Sequence, residues 1–257
     1  MDWRDQDDLR WLEAKLPGAR AAFSTRLGGV SEAPFEQLNI AIKTGDAARS
    51  VHENRRRLAA SLGIAPENVL MGRQVHGGEL RWHDEQQRPR VYAELVRSPY
   101  EVDAHATSQP GLVPLVMVAD CLPVALAGPG GVAMAHAGWR GLAAGILERA
   151  ASRVDAEAAA IGPGIGPCCY EVGEKVLSHF QELEGVAGGR MLDLPAVARR
   201  LLERAGVSAI EAAELCTSCN PKLFYSHRRD GERTGRQAGL AWLQGEATWR
   251  RSGGAVA

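Results

Sequence analysis

The chain has no apolar stretch approaching the ~18 residues of a membrane-spanning helix, and it carries no surplus of either charge. Thirty Lys and Arg face 31 Asp and Glu, a formal net charge of −1. That balance excludes the broad basic footprint by which proteins hold nucleic acid or an anionic membrane surface. The first ten residues, M-D-W-R-D-Q-D-D-L-R, are acidic and lack the apolar core of a secretory signal, so the cytoplasm is the expected compartment. Cysteine is scarce. There are five, an odd number with Cys168 and Cys169 adjacent, in a chain too large to need covalent staples, which argues for a reducing environment. Cys216 and Cys219 form one C-x-x-C with no second copy, so a structural zinc would need two further ligands. Asn220-Pro221 reads as a turn, whereas a redox C-x-x-C should open a helix. These cysteines are therefore expected to be free thiols, buried or partly buried. Internal repeats and domain linkers are also missing.

What is present suits one domain, residues 1–257, with a substantial core: 45% of residues are hydrophobic. Ala19–Thr25 reads as a strand ending at Gly28-Gly29, and Val69–Val75 as a short strand leading into His76. Three central strands are expected at Ala104–Thr107, Leu112–Val118 and Val132–Ala135, with a fourth at Pro123–Ala127. Thr107–Gly111 and Gly128–Gly131 read as tight turns. Asp46 is placed to cap a helix running through Leu62, with Gly63 as its terminator, and Leu142–Val154 repeats its apolar residues at helical spacing. Asp193 caps a further helix to Ala205 with Pro195 in its first turn. Asp84–Arg90 reads as a polar loop and Ser252–Ala257 as a frayed tail. The pattern is mixed α/β without strict alternation, which disfavours a doubly wound parallel sheet.

Three residues carry chemistry that can converge on one metal ion: His76 in R-Q-V-H-G, Cys121 in V-A-D-C-L-P and His136 in A-H-A-G-W-R-G. Two imidazoles and a thiolate suit Zn²⁺ with a fourth position left open. Cys121 follows the apolar run Leu112–Ala119 and His136 follows Val132–Ala135, so neighbouring strands ending at one edge would bring them together. Ile161–Gly166 is glycine-rich but fits neither phosphate-binding loop pattern, and Pro163 and Pro167 remove donors, so it reads as a rigid pocket wall.

The motifs V-D-A-x-A-T (102–107), V-A-D-C-L-P-V (118–124), A-H-A-G-W-R-G-L (135–142), I-G-P-x-I-G-P-C-C-Y-E-V-G (161–173) and Y-S-H-R-R-D-G-x-x-T-G-R (225–236) resemble the YfiH, or laccase-domain, family. The match begins at F-S-T-R-L-G-G-V-S (23–31) and runs nearly to the end of the chain. His227 stands where tyrosine is usual, which bears on the pocket rim. The resemblance implies a single-domain layered αββα sandwich, similar to the catalytic domain of cytotoxic necrotizing factor. It also implies His76, Cys121 and His136 as metal ligands. Members have been described as polyphenol oxidases, purine nucleoside phosphorylases and peptidoglycan-editing factors.

Seven histidines with no H-x-H pair are too few for a blue-copper centre plus a trinuclear cluster, although one His₂Cys site would take Cu²⁺ in vitro. Phosphorolysis of a purine nucleoside fits better, with nucleoside and phosphate as small-molecule partners and the chain most simply a monomer. Arg26, Arg140, Arg228 and Arg229 lie at turns or element ends inside the motifs, where guanidinium forks suit phosphate. Asn39 and Gln74 suit ribose hydroxyls or base edges. Cys121 and His136 are the catalytic candidates, either as ligands or as nucleophile and base. Asp120 is a candidate proton shuttle or orienter of a histidine ligand. A metal-activated water could also deaminate adenosine, although the usual deaminase signature is absent. Hydrolysis of a cell-wall precursor amide is the alternative function.

Overall fold

The computed structural model describes residues 1–84 and 90–245. The expected tail at 252–257 and most of the expected polar loop at 84–90 lie outside the described residues. In chain order the strands are β1 (Asp2–Gln6), β2 (Leu9–Leu16), β3 (Ala19–Ser24), β4 (Val69–Leu70), β5 (Leu80–His83), β6 (Ala104–Thr107), β7 (Val113–Val118), β8 (Leu122–Gly128), β9 (Gly131–Ala137), β10 (Ala158–Ile161), β11 (Ala187–Gly188), β12 (Met191–Leu192), β13 (Ala209–Ala212) and β14 (Gln237–Leu243). The α-helices are α1 (Ala48–Ser61), α2 (Val91–Glu94), α3 (Trp139–Ala143), α4 (Ile146–Val154), α5 (Glu174–Leu177), α6 (Leu194–Arg204) and α7 (His227–Asp230). No helix among the described residues is long and apolar enough to cross a membrane.

Two six-stranded mixed sheets, ordered β1-β2-β3-β14-β7-β4 and β13-β10-β8-β9-β6-β5, make up the body, with β11-β12 a small separate hairpin. The period of two along each strand decides which side chains meet. In β7, Val116 and Val118 turn toward the second sheet, whereas Val113 and Leu115 turn outward. In β9, Val132 and Met134 turn toward the first sheet while Ala133 and Ala135 turn to the opposite face. The layer between the sheets is rich in small residues (Ala14, Ala21, Ala125, Ala160) set against Phe23, Leu12 and Met134. Helices α4 and α6 cover the outer face of the second sheet through Leu147, Val154, Val197 and Leu202. Helices α1 and α2 cover the first through Leu58, Ala59, Val91 and Tyr92. This is the expected αββα layering.

The two strands expected to lead into Cys121 and His136 do not lie side by side in one sheet. β7 belongs to the first sheet and β9 to the second, and the turn at 119–121 carries the chain between layers. The sites they lead to therefore meet across the sandwich. Three local expectations also change. Asp46 does not cap α1, whose first-turn cap is Ala47; its carboxylate instead accepts from Ser31 Oγ (2.6 Å) and Asn39 Nδ2 (2.8 Å). The strand expected at Val69–Val75 stops at Leu70, because the following backbone is drawn into the site described below. The helix expected over Leu142–Val154 starts at Trp139 and breaks at Gly145, whose φ of +78° is left-handed backbone that favours glycine. Gly63 (φ +66°) ends α1 as expected, and Asp193 caps α6 by accepting from the Ala196 N–H at 2.9 Å.

Candidate functional site

His136 lies on β9 with the parity of Val132 and Met134, so it points into the inter-sheet layer at its open end. Cys121 immediately precedes β8, whose Leu122 pairs with Ala137 of β9. His76 comes from the loop after β4. The ligand atoms of these three residues all lie within 4.8 Å of one another. The two imidazoles meet edge to face with ring centroids 4.8 Å apart. Gly138 is required beside them: a Cβ there would come within 2.7 Å of Cys121 Sγ.

Asp103, which the sequence reading did not single out, assembles this group. It is fully buried immediately before β6. Its Oδ1 accepts from the His76 N–H (2.9 Å) and bonds His136 Nδ1 (2.8 Å), and its Oδ2 accepts from the Val75 (3.1 Å) and Gly77 (2.7 Å) N–H groups. Burial opposes its charge, yet His136 and these backbone donors together hold it below the usual carboxylate range. Three successive amides wrapped on one carboxylate bend the 75–77 backbone and hold His76 at φ +60°, a conformation that costs a non-glycine residue energy. The same carboxylate fixes His136 with Nε2 turned to the site, the usual arrangement for a metal-ligating histidine. The available signal was a lone acid immediately before the strand at 104–107.

The site's electrostatics follow. Burial resists a thiolate at Cys121, but attraction to His136 and hydrogen bonds from both imidazoles win and pull it down to about 6. Burial also resists charge on His136, but Cys121 and Asp103 push it up to about 9. A sulfur held as thiolate between two imidazoles is a soft, anionic donor set that fits Zn²⁺ or copper.

The three residues open onto a cleft of about 560 Å³ also lined by Gln74, Arg140, Tyr170, His227, Arg228 and Arg236. Three of the five expected substrate residues therefore reach it. Arg140 stacks on Trp139 at 4.5 Å. Arg228 donates from one guanidinium nitrogen to the carbonyls of Cys169 (3.3 Å) and Glu171 (3.0 Å). The Gln74 amide pairs with both backbone groups of Met117 (2.7 and 2.8 Å), splinting the cleft wall to β7.

Arg26 and Asn39 are not brought to the cleft. Arg26 donates to the carbonyls of Glu36 (2.6 Å) and Pro221 (3.1 Å) and lies over the Tyr225 ring. Asn39 is fully buried, donating to Asp46 and Thr44 while accepting from the Ala41 and Arg236 N–H groups. Arg229 is likewise tied to the Thr217, Ser218 and Phe224 carbonyls. Asp120 lines the cleft at φ +93° but touches neither ligand histidine. It accepts from Thr217 Oγ1 (2.7 Å) and the Arg228 N–H (2.6 Å), so the orienting role expected of it falls to Asp103. Tyr170 and Arg236 were missed. Burial first, and then the Cys121 charge, push Tyr170 up to about 12, so it stays a phenol and a donor.

The family model described as multi-copper polyphenol oxidoreductase laccase matches residues 20–244. "Purine nucleoside phosphorylase YfiH" of Escherichia coli is 37% identical over 251 residues, covering 91% of this chain and 97% of that protein. A protein of Xylella fastidiosa named purine nucleoside phosphorylase is 43% identical over 248 residues, covering 88% and 93%. Among solved structures, YlmD from Geobacillus stearothermophilus superposes with a TM-score of 0.85 at 33% identity, covering 94% of this chain and 98% of that one. The YfiH protein of Bacillus licheniformis gives 0.84 at 30% identity, covering 94% and 99%. With the family model spanning residues 20–244, and its sequence and sandwich matched over nearly the whole length, this chain belongs to the laccase-domain family that contains the YfiH and YlmD proteins.

Proposed function

We propose that this protein is a zinc-dependent purine nucleoside phosphorylase acting on adenosine, inosine or methylthioadenosine. The observation that carries the reading is one cleft holding the His76, Cys121 and His136 group together with the guanidinium groups of Arg140, Arg228 and Arg236. The relatives named purine nucleoside phosphorylase support it. In phosphorolysis the C1′–N bond breaks, its electron pair leaves with the base, and a phosphate oxygen bonds to C1′, giving ribose 1-phosphate. His76, Cys121 and His136 would hold the zinc, which would supply positive charge and Lewis acidity to the site when bound.

The chain's own residues supply the rest. Arg140 and Arg228, both lining the cleft, offer forks to phosphate and hold it at the anomeric carbon, so the reaction draws on positioning as well as charge. Asp120 acts as a positioning residue: through its bond to the Arg228 N–H it holds the start of α7 against the cleft. Tyr170, a phenol on the cleft wall, offers a ring face to a purine and a hydroxyl to its departing nitrogen. The walls of Gln74, Met117 and Ile165 exclude water from the developing oxocarbenium charge. Adenosine deamination is proposed as a second activity of the same cleft, independent of phosphate. Copper would bind the same donor set in vitro.

Base release from adenosine, inosine and methylthioadenosine, followed by chromatography with and without phosphate, tests the reading. Cleavage that requires phosphate supports it; equal cleavage without phosphate makes the protein a hydrolase.

One observation favours a second reading. Cys121, His136 and Asp103 are linked in the order nucleophile, base and orienting acid, as hydrolysis of a cell-wall precursor amide would use. An amidase activity that survives stripping with a chelator but not Cys121→Ser would establish it.

A further inference from the structure

We propose that Cys168, Cys169, Cys216 and Cys219 form a second metal site, a four-thiolate centre for zinc in which Cys168 and Cys169 are the two further ligands that the C-x-x-C at 216–219 lacks in sequence. The topology assembles it. β10 and β13 are parallel neighbours at the end of the second sheet, so the segments following them leave the sheet in the same direction. Their pairing continues beyond the strands through the Gly164–Cys216 bridge, with the Thr217 N–H donating to Gly164 O at 2.9 Å. That register lays the adjacent cysteines of one segment against the C-x-x-C of the other. No second C-x-x-C is needed.

All four sulfurs lie within 4.8 Å of one another. Four Zn–S bonds of about 2.3 Å in a tetrahedron put the sulfurs about 3.8 Å apart, within the spacing seen here. Cys219 Sγ lies 3.4 Å from Cys168 Sγ and 3.3 Å from Cys169 Sγ, nearly equidistant from two partners. A disulfide would use one of them and leave the other two thiols crowded against it, whereas a single ion uses all four. Backbone donors already point at sulfur: the Gly166 N–H lies 3.3 Å from Cys216 Sγ, and the Cys219 N–H also donates to it. This is the support that fixes a thiolate ligand.

Charge is offset locally. Four thiolates around Zn²⁺ leave a net charge of about −2, and two guanidinium groups are fastened to the same turns. Arg228 donates to Cys169 O, and Arg229 donates to the carbonyls of Thr217 and Ser218 between the second pair. Cys168 and Cys219 are exposed, so an ion has a path in and the cluster does not serve as apolar filling. The centre would clasp two cleft-bearing segments. Tyr170 follows Cys169, and Thr217 holds Asp120, the neighbour of Cys121.

The proposal does not depend on the reaction at the first site, and its test removes that site. The His76→Ala/Cys121→Ala/His136→Ala protein, purified under reducing conditions with zinc and desalted, should keep about one zinc per chain in a shell of four sulfurs near 2.3 Å. Adding Cys216→Ser and Cys219→Ser should remove it. In case the triple variant fails to fold, zinc absorption spectroscopy on the wild-type protein gives the same answer. About 2.5 sulfurs per zinc are expected if both centres fill, and about four if only this one does. About one sulfur per zinc would overturn the proposal. So would a folded triple variant that holds no zinc, whether its four thiols react freely or its mass is two hydrogens lower, the mark of a disulfide.

Discussion

Replacing Asp103 with Asn changes no shape and removes one charge, and it should cost the site most of its organisation. Each carboxylate oxygen accepts two N–H groups: Oδ1 from His76 and His136, Oδ2 from Val75 and Gly77. An asparagine offers one oxygen and one NH₂, so in either orientation two of these N–H donors face another donor. Each unsatisfied donor costs about 1–3 kcal/mol, so a total of roughly 2–6 kcal/mol falls on the 75–77 loop and on His136. A domain has about 5–15 kcal/mol of stability, so the protein should still fold at low temperature while melting earlier. Loss of a carboxylate behind a ligating histidine typically weakens metal binding 10–100-fold. Competition with a chromogenic chelator at fixed pH measures that loss, and a thermal melt of the metal-free protein measures the loop's share. If Asp103→Asn binds zinc within twofold of wild type and melts unchanged, then Asp103 does not assemble the site.

Gly138→Ala should lower zinc occupancy several-fold with little change in fold, since its methyl group would sit 2.7 Å from Cys121 Sγ; undiminished occupancy would show that the sulfur can move away. Arg140→Ala and Arg228→Ala should raise the phosphate KM, each by the equivalent of about 2–3 kcal/mol for a charge-assisted contact, with zinc content retained. Arg26→Ala should leave the phosphate KM alone and lower the melting temperature instead, because its guanidinium is committed to Glu36, Pro221 and the Tyr225 ring. His105 is buried, and burial first, then the charges of His83 and Arg81, drive it down to about 3. Its folded value lies below its unfolded value near 6.5, so its contribution is complete above that pH and lost as pH falls, by about 1.4 kcal/mol per unit. His105→Gln should flatten the pH dependence of unfolding between about 6 and 4, and an unchanged slope would reject this origin.

The strands and the three metal-ligand candidates were legible because each depends on local pattern. Alternation and β-branched runs mark β7 and β9, and the ligands sit in turns that punctuate them. The layering came from family resemblance, since periodicity gives each strand's two faces but not which sheet it joins; β7 and β9 read as neighbours although they lie in different sheets. Arginine roles were the least legible. Arg26, Arg140 and Arg228 look alike in sequence, but the first is consumed by carbonyls brought from residues 36 and 221, contacts no local window contains. Asp103 went unread for the same reason, its partners lying near 76 and 136. The cysteine cluster needed the parallel pairing of β10 with β13 to become visible at all.

The central claim is a phosphate-dependent break of the nucleoside bond at the His-Cys-His cleft, and ³¹P NMR of inosine incubated with zinc-loaded protein and inorganic phosphate tests it most directly. The account predicts a growing ribose 1-phosphate resonance in step with free hypoxanthine, absent from the Cys121→Ala protein. Hypoxanthine appearing with the phosphate resonance unchanged, or no hypoxanthine at all, would contradict it.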